Sequence, residues 1–144
     1  MSLLNFVRYI LDLKNVEIVE QIAIYSGTKE IIKINLNEIN LKKWYCQYDG
    51  TELTINFYNQ DIDCVPKILQ PSFEIFRLSF KEHRIENIRL EKSKIHDFCH
   101  FMIQVRNDLH YYLKIFIPFD QIQSIKDYVK QKNLTKQVNI DKFD

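Results

Sequence analysis

The sequence predicts an α+β fold, in which a single antiparallel sheet of about six to eight strands carries a helix at each end of the chain. Runs of alternating apolar and polar residues recur through most of the chain, and the connections between them are short. Helical periodicity is confined to the two termini. Because short connections join antiparallel neighbours, the sheet should be antiparallel. We expect it either to leave one face partly open or to curl strongly, towards a half-barrel.

The length and composition favour one domain. With 144 residues, of which 46% are hydrophobic, the chain can bury a single core of ordinary size. Only two glycines and three prolines occur, so a flexible linker to a second domain is not expected. We predict one α+β domain over residues 1–134 and a frayed C-terminal tail over residues 135–144.

The two helices are predicted from their apolar stripes and caps. Ser2 is placed to cap a helix that runs to about Lys14, and Asn15 suits the left-handed residue that ends it. At the other end, Asp120 is the predicted cap, with Gln123 as its capping-box partner.

The clearest strand signal is Asp49-Gly50, which separates the alternating runs 42–48 and 51–58. A two-residue loop would pair Cys46 with Leu53, so that the apolar residues of both strands share one face. Further strands are predicted over 16–25, 30–36, 72–81, 85–91, 98–106 and 111–119. In the strand over 72–81 the apolar phase slips, which a bulge near Ile75 or burial on both faces would explain.

Charge and cysteine content exclude several classes of function. The net charge is +1 and acids alternate with bases, which disfavours a nucleic-acid partner. The three cysteines form no C-x-x-C pair, and their odd number disfavours a secreted disulfide framework. Neither a signal-peptide pattern nor an apolar run of membrane-spanning length is found. We therefore expect a cytoplasmic protein with no membrane contact.

Catalytic and metal-binding motifs are weak. The segment 96–100 contains His96, Cys99 and His100, but its alternation predicts a strand, which would place Cys99 and His100 on opposite faces. Gly27 and Gly50 are the chain's glycines, and each is explained by a turn, which excludes a glycine-rich phosphate loop. We predict no metal site, no cofactor and no catalytic residue.

The outward side of the Asp49-Gly50 hairpin is the predicted binding surface. Tyrosines supply contact area at low entropic cost, and the polar groups between them set the orientation of a partner. The predicted partner-binding residues are Tyr45, Gln47, Asp49, Glu52, Thr54, Tyr58, Asp61 and Asp63. We expect a non-enzymatic protein that binds and inhibits another protein, such as a toxin or a nuclease. Small toxin-immunity proteins and phage inhibitors have this general profile, which is an analogy of type.

Two alternatives remain open at this stage. The first is a small metal-independent nuclease that uses His100 with Arg106 or Lys114. The second is a carrier whose strands curl around an apolar small molecule. A homodimer formed at a sheet edge is compatible with all three functions.

Overall fold

The computed structural model describes residues 3–36, 43–58, 62–93 and 98–141. Within them, helix α1 spans Leu3–Leu11 and helix α2 spans Ile122–Gln131. The strands are β1 Glu17–Ser26, β2 Lys29–Asn35, β3 Lys43–Tyr48, β4 Glu52–Tyr58, β5 Glu74–Lys81, β6 Ile85–Lys92, β7 Cys99–Val105, β8 Leu109–Phe116 and β9 Val138–Asp141. Short 3₁₀ helices lie at Ile62–Cys64, Lys67–Phe73, Glu82–Arg84 and Phe119–Gln121. The predicted α+β class is confirmed.

The described strands form two sheets. The large sheet has six strands in the order β2-β1-β8-β7-β6-β9, and the small sheet has three in the order β3-β4-β5. Strand β9 runs parallel to β6, so the large sheet is mixed. The prediction of one purely antiparallel sheet is therefore wrong, and the sheet is neither closed nor strongly curled.

A short 3₁₀ helix explains why the sheet divides. Glu82–Arg84 joins β5 of the small sheet to β6 of the large one, where the sequence predicted a simple turn. The Glu82 carboxylate accepts hydrogen bonds from the N–H groups of Leu3 and Leu4, at 2.8 and 3.0 Å. It thereby satisfies donors at the start of α1 that have no partner within the helix. The predicted cap, Ser2, lies outside the described residues.

One core lies between the two sheets and the helices. The Phe6 ring of α1 meets Phe101 of the large sheet edge to face, with centroids 6.4 Å apart. The rings of Phe80 in the small sheet and Tyr111 in the large sheet also meet edge to face, with centroids 4.6 Å apart. The buried side chains of both sheets and both helices belong to one cluster. The helices and the small sheet thus cover the same face of the large sheet.

The Asp49-Gly50 hairpin forms with a register two residues away from the predicted one. Tyr48 pairs with Leu53, and Cys46 pairs with Ile55. The Asp49 carboxylate accepts hydrogen bonds from the N–H groups of Thr51 and Glu52, at 2.9 and 2.8 Å, which closes a longer loop than predicted. Because the shift is an even number of residues, every side chain keeps its predicted face.

Other local predictions have mixed outcomes. The bulge near Ile75 is confirmed, since Phe57 pairs with Phe76 and Tyr58 with Glu74. Asn15 has the expected left-handed conformation, with φ of 64°. The capping box at α2 is wrong: the described helix has no side-chain cap, and the Gln123 amide donates instead to Asp127. The i,i+4 spacing on the helix favours that bond over a bond to the preceding loop.

The C-terminal region differs from the predicted frayed tail. Leu134 and Val138 are only 3% exposed, and Val138–Asp141 extends the large sheet as β9. The Val138 N–H donates to the Leu134 carbonyl at 2.8 Å, which turns the chain back after α2. Two buried apolar side chains hold this segment against the core, and the sequence alone does not show where they pack.

Candidate functional site

Five described members of the predicted binding surface lie on one face of the small sheet, the face that points away from the core: Tyr45, Gln47, Glu52, Thr54 and Tyr58. Tyr45 lies opposite Asn56, and Gln47 lies opposite Thr54. Strand β5 adds charged and polar residues that sequence reasoning missed, because the alternation does not reveal which strand lies beside β4. We use "outer face" for the following set: Tyr45, Gln47, Glu52, Thr54, Asn56, Tyr58, Glu74, Arg77, Ser79 and Lys81.

Two of the predicted tyrosines contact each other. The rings of Tyr45 and Tyr58 meet edge to face, with centroids 5.7 Å apart. The Tyr45 hydroxyl donates to the Asp63 carboxylate at 2.7 Å, which brings the predicted Asp63 to the edge of the outer face. Tyr58 is only 7% exposed, so it supports Tyr45 and offers little surface of its own. The predicted Asp61 lies outside the described residues.

A polar network lies at the centre of the outer face. The amide nitrogen of the buried Asn56 donates to the Glu74 carboxylate at 2.5 Å. Arg77 binds both oxygens of the same carboxylate, at 3.0 and 2.7 Å. The hydrogen bond from Arg77 is the main cause that lowers the pKa of Glu74. Glu74 is therefore an anion at neutral pH, fixed in position by two neighbours.

The hairpin end of the outer face is acidic. A groove of about 310 Å³ is lined by Gln47, Tyr48, Asp49, Glu52 and Thr54. The backbone N–H groups of Thr51 and Glu52, and then the Thr51 hydroxyl, lower the pKa of Asp49. Lys81 lies opposite Glu52 in the neighbouring strand. The Asp49 carboxylate is thus charged at neutral pH and held in one orientation.

The segment 62–73, which contains Asp63 and two short 3₁₀ helices, also displays two apolar side chains that sequence reasoning missed. Ile68 is 87% exposed and Leu69 is 52% exposed. The Gln70 amide fixes this segment by donating to the carbonyls of Ile62 and Val65, both at 3.0 Å. The sequence signal for Ile68 and Leu69 is that they form an apolar pair between Pro66 and Pro71. No periodicity in this stretch assigns either residue to the core.

The residues of the nuclease alternative are only partly brought together. His100 lies directly opposite Lys114, and its Nδ1 is hydrogen-bonded to the Tyr112 hydroxyl. Arg106 lies in the turn after β7, about 20 Å from His100 along the strand at 3.3 Å per residue. Its N–H donates to the Arg84 carbonyl at 2.9 Å. Arg106 therefore cannot act on the same phosphate as His100 and Lys114.

The neighbours of Lys114 and His100 form a bonded cluster. Lys114 donates to the Glu20 carboxylate at 2.8 Å. Glu20 has a φ of 61°, which is uncommon for a residue other than glycine, at a bulge in β1. Burial, and then the charges of Tyr25 and Glu20, raise the pKa of Tyr112 to about 12. The Tyr112 hydroxyl therefore stays protonated at neutral pH and keeps its hydrogen bond to His100.

Two of the three cysteines, Cys46 and Cys99, have thiols that burial makes unreactive. Burial is the main cause that raises the pKa of Cys46 to about 12 and that of Cys99 to about 11. Both thiols are therefore protonated at neutral pH and are poor nucleophiles. No group of three or more His, Cys, Asp or Glu side chains that could hold a metal ion occurs among the described residues. His96 lies outside them.

The carrier alternative requires an apolar cavity enclosed by strands. Aromatic side chains pack against each other where the two sheets meet the core, as the stacked rings of Phe57 and Phe76 show at 4.3 Å. Phe57, Phe80 and Phe101 are at most 1% exposed. Side chains thus fill the described interior around Phe57, Phe80 and Phe101.

None of the described helices is long and apolar enough to cross a membrane. Comparison with protein-family models, with curated proteins and with solved structures finds no match to this chain.

Proposed function

We propose that this protein binds a partner protein stoichiometrically through the outer face of the small sheet, and inhibits it by covering its active site. The observation that carries the proposal is that the polar groups of this face are already fixed by hydrogen bonds. Asp63 holds Tyr45, and Glu74 joins Asn56 to Arg77. A surface ordered before binding loses little conformational entropy on association, which favours tight binding.

An apolar anchor lies on the same segment as Asp63. Binding energy in protein interfaces is concentrated in a few residues that fill pockets of the partner. Ile68, 87% exposed on a segment held by Gln70, has the chemistry of such a residue. In this proposal Ile68 enters an apolar pocket of the partner, while Tyr45 and the polar network set its orientation.

The acidic end of the outer face favours a basic partner. Asp49 and Glu52 line the same groove, and the Asp49 carboxylate is fixed by its hydrogen bonds. Carboxylates held in this way can replace the phosphates that a nuclease binds. We therefore propose a target with a basic active site, as in a toxin-immunity or phage-inhibitor pair. The described cysteines are free thiols, which fits a reducing, cytoplasmic location.

The test is affinity capture from the native host with the wild-type protein and with Ile68→Asp, followed by reconstitution of the purified complex. We expect one partner to bind with 1:1 stoichiometry and to lose its activity in proportion to the inhibitor added. Ile68→Asp should weaken the complex by about a hundredfold, because it places a charge in an apolar pocket. Glu52→Lys should mainly slow association and reduce its dependence on salt.

The matched control is Asn87→Ala, an exposed residue on the large sheet that bonds to Gln104. It should leave affinity and association rate unchanged. A complex that tolerates both Ile68→Asp and Glu52→Lys, or that is lost with Asn87→Ala, would overturn the proposed surface.

A further inference from the structure

A second cleft lies at the edge of the large sheet, beside β9, and goes beyond the function proposed above. It is formed between α2, the turn that follows it and β9, and has a volume of about 570 Å³. This is larger than the hairpin groove of about 310 Å³, and it lies within the range of small-molecule sites. The outer face of the small sheet contributes no residue to it.

Three lysines define the chemistry of this cleft. Lys126 and Lys130 are four residues apart on α2 and so share one face of the helix. Lys136 approaches from the following turn. None of the described side chains that line the cleft is acidic. In a protein whose net charge is only +1, a cleft lined by lysines and by no described acid favours an anion with more than one negative charge.

The floor of the cleft is apolar. Val129 and Val138 are 5% and 3% exposed, and the half-buried Ile140 lies beyond them. A fully hydrated inorganic anion would leave this surface uncovered. The combination of ammonium groups at the rim with an aliphatic floor therefore fits a ligand that has an anionic head and a short apolar part.

Backbone hydrogen bonds form the cleft before any ligand arrives. The Leu134 N–H donates to the Val129 carbonyl at 2.9 Å, and the Val138 N–H donates to the Leu134 carbonyl at 2.8 Å. The Ile88 N–H of β6 then donates to the Gln137 carbonyl at 2.8 Å. The turn between α2 and β9 is thus tied at both ends, which fixes the backbone that carries Lys130 and Lys136 beside the cleft.

We propose that this cleft binds a phosphomonoester with a short apolar substituent. Lysine is an effective binder of phosphate as a point charge, and a dianionic phosphate balances the charges of both Lys130 and Lys136, whereas a carboxylate balances only one. The same head group occurs in soluble metabolites and in lipids such as phosphatidic acid. The chemistry of the cleft is shared by both sources, and the experiment separates them.

The test is a nuclear magnetic resonance titration of the full chain with phenyl phosphate, inorganic phosphate and phenol. We expect phenyl phosphate to bind saturably and more tightly than either fragment, with shifts concentrated in residues 126–140. The double variant Lys130→Ser/Lys136→Ser should weaken binding by at least about tenfold, and Ile140→Ala should weaken phenyl phosphate several-fold more than inorganic phosphate. Thermal melting of each variant checks that it folds.

The matched control is Lys132→Ser. Lys132 lies in the same region but points at the Tyr128 ring, 6.0 Å from its centroid, and does not line the cleft. It should leave binding unchanged. Equal loss of affinity in Lys132→Ser and in the double variant would overturn the proposal, as would equal binding of phenol and phenyl phosphate. Binding of an RNA oligonucleotide that phenyl phosphate does not displace would also overturn it.

Vesicles that contain phosphatidic acid distinguish the two sources. Binding to them that phenyl phosphate competes away, and that vesicles of phosphatidylcholine alone do not show, assigns a lipid head group. Binding of phenyl phosphate without binding to the vesicles assigns a soluble ligand. Both results support the cleft as a phosphomonoester site.

Discussion

Asn56 shows how a single buried amide organises the outer face of the small sheet. Its side chain is 6% exposed, and its nitrogen donates to Glu74, which Arg77 holds in place. The amide oxygen of Asn56 has no hydrogen-bond partner among the described residues. The Asn56 side chain therefore depends on Glu74 to satisfy its buried donor. The loss of the Glu74 carboxylate should clearly lower the free energy of unfolding.

At this scale we predict the effect of two substitutions at Glu74. Glu74→Ala should lower the free energy of unfolding by about 2 kcal/mol, because it leaves the buried Asn56 donor unsatisfied. Glu74→Gln keeps an acceptor oxygen at the same place and should cost clearly less. Urea unfolding measures the free energy of unfolding of both variants, provided that the m value is unchanged. Equal midpoints for the two variants would show that Asn56 does not need the acceptor.

Strand β9 is the element in which structure and sequence differ most. It contains only four residues, Val138–Asp141, and it lies at the edge of the large sheet parallel to β6. Its alternation is too short to be distinguished from a tail in the sequence. Burial of Val138 and the hydrogen-bonded turn before it give the strand its position.

We predict that β9 is protected from hydrogen exchange. The Val138 amide, which donates to the Leu134 carbonyl, should exchange at least about a hundredfold more slowly than in an unstructured peptide. Val138→Asp should remove this protection, because it would bury a charge, while amides of the β1–β2 hairpin keep theirs. Exchange of Val138 at the unstructured rate in the wild-type chain would contradict the assignment of β9.

At the level of the whole molecule, the connection between β5 and β6 joins the two sheets. The Glu82 N–H donates to the Thr51 carbonyl at 2.9 Å, and the Arg106 N–H donates to the Arg84 carbonyl at 2.9 Å. The Glu82 side chain also holds the start of α1. The connection between β5 and β6 thus contacts both sheets and a helix, and Phe80 packs on Tyr111 across the same interface.

We therefore predict a single unfolding transition. Trp44, the one tryptophan, belongs to the small sheet, whereas the far-ultraviolet circular dichroism arises mainly from the large sheet and the helices. The two signals should change at the same urea concentration. Phe80→Ala should lower the free energy of unfolding by about 3 to 5 kcal/mol, with the same value from both signals. Ser79→Ala on the outer face should leave the free energy of unfolding unchanged. Separate transitions would mean that the sheets unfold independently.

Local periodicity determined a large part of the fold. The positions of both helices, the alternation of β7, the bulge at Ile75 and the shared face of Tyr45, Gln47 and Thr54 follow from the sequence. Each of these features depends on neighbours within a few residues. Even the hairpin register, which was wrong by two residues, left the faces unchanged, because side chains alternate with a period of two.

Only the tertiary structure decided which strands pair and which side chains meet. The division into two sheets, the parallel position of β9 and the contact of Glu74 with Asn56 and Arg77 all join distant parts of the chain. So does the cleft beside β9, which three lysines line. Such contacts depend on how the connections direct the chain in space, and a pattern that repeats every two or 3.6 residues does not contain that information.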